Sequence, residues 1–188
     1  MPVITVTLIE GYDAAIRRNL SERLTDAARA AIGAPLDGIT VVITEVPSEN
    51  YMRGRTGRTP GTPPASPSSI VRAYLAAMER RDLEEASAYL ADGFTMTFPG
   101  GAVFSRPEEL VDWAKARYRS VAKTYDDFDE ADSATGSIVY CFGTLHGEWP
   151  DGTAFDGIRF IDRFTVRDGK ITDQRVWNDL AEVRSGRQ

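Results

Sequence analysis

The sequence predicts an α+β protein built as two units in series, and three observations carry that prediction. Residues 1–53 hold a strand-like run, a helical run and a second strand-like run. Residues 54–67 are rich in Pro, Gly and Ser and almost empty of apolar side chains. Residues 68–188 then put helical patterns first and long β-rich runs after, the order of helices packed on an antiparallel sheet.

In the first unit, Pro2 to Ile9 alternates, with Ile4, Val6 and Leu8 on one face and Val3, Thr5, Thr7 and Ile9 on the other. Both faces are β-branched and mostly apolar, which suits a strand covered on both sides. Glu10-Gly11 ends the run, and Asp13 is the expected N-cap of a helix reaching about Ile32. Ile16, Leu20, Leu24, Ala27, Ala28 and Ala31 recur at helical spacing. Gly33 suits the left-handed position after a helix, and Pro35 prevents continuation. Ile39 to Val46 is the second strand, so the unit is a right-handed parallel crossover. Two strands and one helix bury little core, and the unit is expected to oligomerise.

Residues 54–67 cannot bury enough surface to offset their ordering entropy and are assigned to a linker. After it, Ser68 or Ser69 is the expected cap of a helix with Ile70, Val71, Tyr74, Leu75 and Met78 on one face. A second helix is expected near Asp82 to Ala91, and Phe94 to Phe98 is a short strand. Ser105-Arg106-Pro107-Glu108 fits a capping box opening a third helix that carries Leu110, Trp113, Ala114, Arg117, Tyr118 and Val121. Strands follow at about Ser137 to Trp149, Phe155 to Arg167 and Lys170 to Trp177, with hairpin chemistry at Asp151-Gly152 and Asp168-Gly169.

The formal net charge of −6 argues against a nucleic-acid partner, which needs clustered Lys and Arg. No apolar run approaches the ~20 residues of a membrane span. Met1-Pro2-Val3-Ile4-Thr5 lacks the basic and apolar regions of a secretory signal. Cys141 is the single cysteine and is read as a core filler, so no internal disulfide is expected. These features point to a cytoplasmic protein acting on a small molecule, with no cofactor.

Pro2 is the first candidate catalytic residue. Removal of Met1 leaves a rigid secondary amine, a base when neutral and an acid when protonated. An apolar pocket favours the neutral form and brings its pKa toward the working pH, as moving a proton between carbon and oxygen requires. Pro2-Val3-Ile4-Thr5-Val6, Glu10-Gly11, Ala34-Pro35-Leu36, Val41-Val42-Ile43-Thr44-Glu45-Val46 and Glu49-Asn50-Tyr51 together resemble the 4-oxalocrotonate tautomerase family over about residues 2–54. The resemblance implies that Pro2 is the general acid/base of an enol–keto interconversion on a small carbonyl compound. It implies that Tyr51 lines the pocket and that the units assemble as hexamers, or as trimers of larger units. The family's two substrate-binding arginines are replaced here by Tyr12 and Thr40, which implies altered specificity. Tyr12 and Arg53 are the available substrate-binding groups.

In the second unit the alternation of Phe155 to Arg167 places Asp162 on an apolar face between Phe160 and Phe164. Two readings stay open. A buried, protonated carboxyl can donate to a substrate oxyanion, or the group is structural and satisfied by a tyrosine, a tryptophan or a backbone amide. His146, the single histidine, shares a strand face with Tyr140, Phe142 and Thr144. It is a candidate acid/base or a surface residue, and one histidine cannot build a histidine-rich metal site. Asp179 is a candidate at a pocket mouth or a cap, while Tyr140, Phe160 and Trp177 are candidate pocket residues.

The element order, with Asp162-Arg163-Phe164-Thr165-Val166-Arg167-Asp168-Gly169-Lys170-Ile171 and Val176-Trp177-Asn178-Asp179, resembles the nuclear transport factor 2-like superfamily over about residues 68–183, and within it the SnoaL-like polyketide cyclases and ketosteroid isomerase relatives. The resemblance implies a curved sheet and helices around an apolar cone. Asp162 matches the isomerases' oxyanion-binding acid, and Phe98 stands where their general base would be. Three functions follow: a tautomerase working through Pro2 with a second pocket in the cone; cyclase, dehydratase or hydrolase chemistry in the cone on an oligomeric base; or a non-catalytic ligand-binding cone.

Overall fold

Parallel pairing of two short strands organises the N-terminal unit of this computed structural model, which describes residues 1–134 and 136–186. Strand β1 (Val3–Ile9) runs beside β2 (Thr40–Val46), from Val3 opposite Thr40 to Ile9 opposite Val46. Helix α1 (Ala14–Ile32) crosses between them. The Asp13 carboxylate accepts from the Ile16 N–H at 2.8 Å and starts the helix. Gly33 takes φ 67° and returns its N–H to the Arg29 carbonyl, ending it.

Only one face of this sheet is covered within the chain. Ile4, Val6, Leu8, Val41 and Ile43 are half-buried, whereas Val3, Thr5, Thr7, Thr40, Val42 and Thr44 are exposed. The expectation of a strand covered on both sides is therefore not met in a single copy: Val3 is 65% and Val42 44% exposed.

The expected linker is shorter than 54–67. Strands β3 (Met52–Arg53) and β4 (Thr56–Gly57) close a small hairpin through Gly54 and Arg55, both at positive φ. The Gly61 N–H donates to the Tyr12 hydroxyl at 3.2 Å. The N-terminal unit extends to Pro63, and the second unit starts at Pro64.

The second unit opens with α2 (Pro67–Arg80). Its cap is Ser66, one helical register earlier than Ser68 or Ser69, because Pro67 fits the first position, where no N–H is needed. Then come α3 (Leu83–Ala88), β5 (Leu90–Phe98), β6 (Ala102–Phe104) and α4 (Pro107–Ala114). The second helix is thus shorter than expected, and Leu90 and Ala91 belong to the strand. At α4 the Ser105 N–H donates to Glu109 at 2.9 Å, while Arg106, in the cap position, turns its guanidinium to Glu109 rather than capping the backbone. The chain continues through β7 (Ser120–Ser133), β8 (Gly136–Glu148), β9 (Ala154–Arg167), β10 (Lys170–Asn178) and α5 (Leu180–Arg184). The sheet order is β6-β5-β10-β9-β8-β7, with β5 and β10 parallel and the other pairs antiparallel.

Strand β7 corrects the sequence reading, which carried a helix to Val121 and left 122–136 unassigned. It is an edge strand loaded with outward acids, as edges that resist pairing with other chains are. A bulge between Tyr125 and Asp127 breaks its alternation. Val121, Ala122, Lys123, Tyr125 and Phe128 are its half-buried residues.

The core lies on one sheet face against α2. Val71, Tyr74, Met96, Val139, Cys141, Phe164 and Ile171 are almost fully enclosed, and Tyr74 meets Phe164 edge-on with ring centroids 6.0 Å apart. Cys141 fills core space, and burial pushes its thiol up to about 12.

Candidate functional site

In the N-terminal unit, Pro2 stands immediately before β1, and its carbonyl accepts from the Thr40 N–H at 3.1 Å. The sheet therefore fixes the backbone of residue 2 at the head of the parallel pair. Tyr12 sits at the start of α1; its carbonyl accepts from Arg17, whose guanidinium also pairs with Glu45 at 2.9 Å. Tyr51 is exposed at 36% and follows a short turn of 3-10 helix. Arg53 is exposed in the β3–β4 hairpin opposite Thr56. No hydrogen bond, ion pair or ring contact of the described residues links Pro2 to Tyr12, Tyr51 or Arg53. One copy thus positions each of these groups without gathering them.

The C-terminal unit does gather its groups. A cavity of about 110 Å³ is lined by Tyr74, Phe98, Tyr118, Lys123, Tyr125 and Gln174, among others. A second of about 60 Å³ is lined by Phe98, Trp113, Tyr118, Lys123, Phe160 and Asp162, among others. Lys123 and Tyr118 line both, so the lysine side chain stands at the boundary of the two chambers.

Strand register explains how Lys123 gets there. Cys141 pairs with Asp162, Gly143 with Phe160, Tyr125 with Gly143 and Lys123 with Leu145. Lys123 thus starts on the same inner face as Asp162, two strands away. Gly143 between them has no side chain to obstruct the sheet: a Cβ there would lie 2.0 Å from the Thr124 carbonyl oxygen.

The Asp162 side chain is fully buried and ion-paired with Lys123, itself 22% exposed. Lys123 Nζ donates to Oδ2 and lies 4.5 Å from the centre of the Phe160 ring. Gln174 Nε2 donates to the same Oδ2 at 3.4 Å, and the Tyr74 hydroxyl donates to Gln174 Oε1 at 3.3 Å. Asp162 Oδ1 is buried with no hydrogen-bond partner. Such atoms are rare in native proteins and mark strain, chemistry or an absent partner. Burial pushes the Asp162 carboxyl above the ordinary range, and Lys123 and Gln174 pull it partly back. Burial likewise raises the phenols of Tyr74, Tyr118 and Tyr125, so all three remain neutral donors. The arrangement is a mostly apolar chamber in which Lys123 meets a buried carboxylate carrying a free oxygen, with neutral phenols around them.

Of the residues picked from sequence, Asp162 and Phe160 face this chamber. His146, Tyr140 and Trp177 do not. Tyr140 pairs with Arg163 and Trp177 with Ile161, on the sheet face away from Asp162; Trp177 is half-exposed and His146 is exposed beside the Leu145–Gly147 bulge. Period-two alternation assigned two faces correctly but gave no sign of which one the helices cover. Asp179 precedes α5, and its carboxylate pairs at 2.7 Å with Arg159, which is 83% exposed, so it is turned to the surface rather than to the chamber. Missed from sequence were Lys123 and Gln174 as polar partners of Asp162, and Tyr74 as the partner of Gln174. The signal for Lys123 was its place two residues from both Val121 and Tyr125, a period-two stripe hidden by the acids around it.

Two family profiles match the chain: the Tautomerase enzyme family over residues 2–57 and the SnoaL-like domain over residues 71–174. A probable tautomerase of Ralstonia nicotianae is 45% identical over 51 residues, covering 27% of this chain and 73% of the relative. The chain is a tautomerase-family domain fused to a SnoaL-like domain. The tautomerase domain is also 37% identical over 51 residues to 2-hydroxymuconate tautomerase of Bacillus subtilis, covering 27% of this chain and 82% of that protein. The SnoaL-like domain shares its fold with a nuclear transport factor 2-like protein of unknown function from Burkholderia pseudomallei (TM-score 0.53, 20% identity, 63% of this chain and 94% of that one). A second such protein, from Burkholderia thailandensis, gives a TM-score of 0.53 at 21% identity over 66% of this chain and 98% of its own. TerC, crystallised with polyporic acid, gives 0.54 at 19% identity over 63% and 95%.

Proposed function

We propose that the protein is an isomerase that interconverts the enol and keto forms of a small carbonyl compound, with the Pro2 amine of the tautomerase domain as general acid/base. The observation that carries this reading is the place of Pro2: the family match begins at this residue, and the Thr40 N–H ties its carbonyl to the sheet, holding the ring nitrogen at the strand head. A secondary amine fixed there, with water excluded, loses its proton more easily than one in solvent and can carry that proton between carbon and oxygen.

One copy leaves the sheet face of Val3, Thr5, Thr7, Val42 and Thr44 open. Covering that apolar face with further copies is what would exclude water around Pro2, so the active form is a homo-oligomer in this reading. Tyr12 and Thr40, in place of arginines, favour substrates with fewer carboxylates than 2-hydroxymuconate.

The test compares ketonisation of phenylenolpyruvate and of 2-hydroxymuconate by the full chain and by Pro2→Ala. The reading expects turnover of the monoacid to exceed that of the diacid, and loss of both in the variant. Equal rates in the variant would remove Pro2 from the mechanism.

A second reading concerns the SnoaL-like domain and rests on Asp162 Oδ1. A buried carboxylate oxygen without a partner, beside a cavity that Lys123 also lines, supports a pocket for a small molecule bearing a hydroxyl or carbonyl. Asp162 would hold or move a proton at that group while Lys123 stabilises developing negative charge. Ligand titration with Asp162→Asn and Lys123→Met separates this from a purely structural pair, which would leave affinity unchanged.

A further inference from the structure

We propose that the mouth of the SnoaL-like cone is an anion site, in which Arg81 and Arg117, on either side of Tyr118, take the carboxylate of an apolar acid whose body lies in the chamber. The proposal deepens the second reading above and rests on it.

Three observations support it. First, both arginines line chambers that share Tyr118: Arg81 lines the larger and Arg117 the smaller. Second, neither arginine is ion-paired among the described residues. Arg81 reaches only the Met78 carbonyl at 3.4 Å, and Arg117 is stacked with its Cζ 4.3 Å from the centre of the Trp113 ring. Lys123 holds Asp162, and Glu79 stands at the Tyr125 end, where Arg72 lines the adjoining groove. The two arginines therefore offer positive charge without an ion-pair partner beside the chambers. Planar guanidiniums next to a phenol and an apolar chamber suit a carboxylate attached to an aromatic or olefinic body.

Third, Arg81 holds its place at a conformational cost. It is the residue ending α2, at φ 62°, where glycine is the low-strain choice. The two charges also account for Tyr118: burial raises its phenol while Arg81 and Arg117 both act to lower it, so both lie within electrostatic reach of one hydroxyl.

The left-handed backbone supplies a clean test, because Arg81→Gly relieves strain while deleting the guanidinium. Binding of trans-cinnamate and of its uncharged counterpart cinnamamide to the full chain is measured by calorimetry, alongside melting temperature. The expected result is a preference for cinnamate of about tenfold or more, the effect of charge-assisted hydrogen bonds. That preference falls to near parity in Arg81→Gly with the melting temperature unchanged or raised, and it is reduced in Arg117→Met. Equal binding of acid and amide by the unmodified chain overturns the anion site and leaves the cone as a neutral pocket. A preference for cinnamate that survives both substitutions also overturns it, placing the anion elsewhere. Binding of neither compound overturns this proposal and the pocket reading together.

Discussion

The two domains solve the problem of housing a reactive group in opposite ways. The tautomerase domain displays Pro2 at the head of a two-stranded sheet whose second face is open, so its residues are in place while the walls are missing from one copy. The SnoaL-like domain encloses its Asp162–Lys123 pair within one chain, between α2 and a six-stranded sheet. The difference teaches that a motif near a chain start can name a chemistry without showing its pocket. A pocket can likewise be complete while the residue that tunes it lies on an overlooked edge strand.

Four experiments break or sharpen that comparison. The largest effect is expected from Pro2→Ala, which replaces the rigid secondary amine by a mobile primary one and lowers kcat/KM for enol–keto exchange by about 10²–10⁴-fold. Melting of the SnoaL-like domain should be untouched, because Pro2 belongs to the other unit. A variant that keeps full rate would reduce the tautomerase domain to a scaffold.

Lys123→Met comes next. It strands a fully buried carboxylate, and breaking such a pair costs ~3–5 kcal/mol. The double variant Lys123→Met with Asp162→Asn should recover much of that loss, as read by denaturant unfolding. Equal losses in single and double variants would mean that the two groups are not coupled.

Gly143→Ala should cost about 1–3 kcal/mol by overpacking, since its Cβ would strike the Thr124 backbone and push β7 outward. The displaced strand carries Lys123 and Tyr125, so ligand binding in the cone should weaken along with stability. Unfolding curves and titrations on the same sample check both.

The smallest effect is a pH dependence. The unfolded-state pKa of an aspartate is ~3.9, and burial holds Asp162 above its ordinary value in the native state. Between the two values the native state keeps a proton that the unfolded chain has released. Stability contributed by this group is therefore full at low pH and falls as pH rises through that window. Melts of the parent and Asp162→Asn from about pH 4 upward should diverge in that sense. Parallel curves would mean that the carboxylate is fully ionised across the range.

Much of the fold was legible because local signals agreed with the final packing. Asp13 and Gly33 bound α1 as capping chemistry requires, and Asp168-Gly169, at φ 51° and 75°, makes the turn that such a pair suits. Period-two alternation put Asp162 on an apolar face, and the structure buries it there completely. What stayed illegible depended on tertiary information. Alternation cannot say which sheet face a helix will cover, so Tyr140 and Trp177 were candidates for a pocket that lies on the other side, and of the two readings of His146 the structure shows the exposed one. Strand β7 was hidden because an edge strand is selected for charge, and its bulge shifts the phase of Val121, Lys123, Tyr125 and Phe128. The partner of Asp162 was sought among aromatics and amides, whereas a lysine two strands away supplies it. Local pattern also carried the third helix past Ala114, because Arg117, Tyr118 and Val121 continue a helical spacing that the chain abandons to begin the sheet edge.

The central claim is that residue 2 presents a free, easily deprotonated ring nitrogen. The direct measurement is a ¹⁵N NMR titration of the assembled full chain carrying ¹⁵N-proline. The account predicts one proline nitrogen that titrates as a secondary amine near neutral pH and disappears from the spectrum of Pro2→Ala. Proline resonances that are all tertiary amides, with no titration, would contradict it.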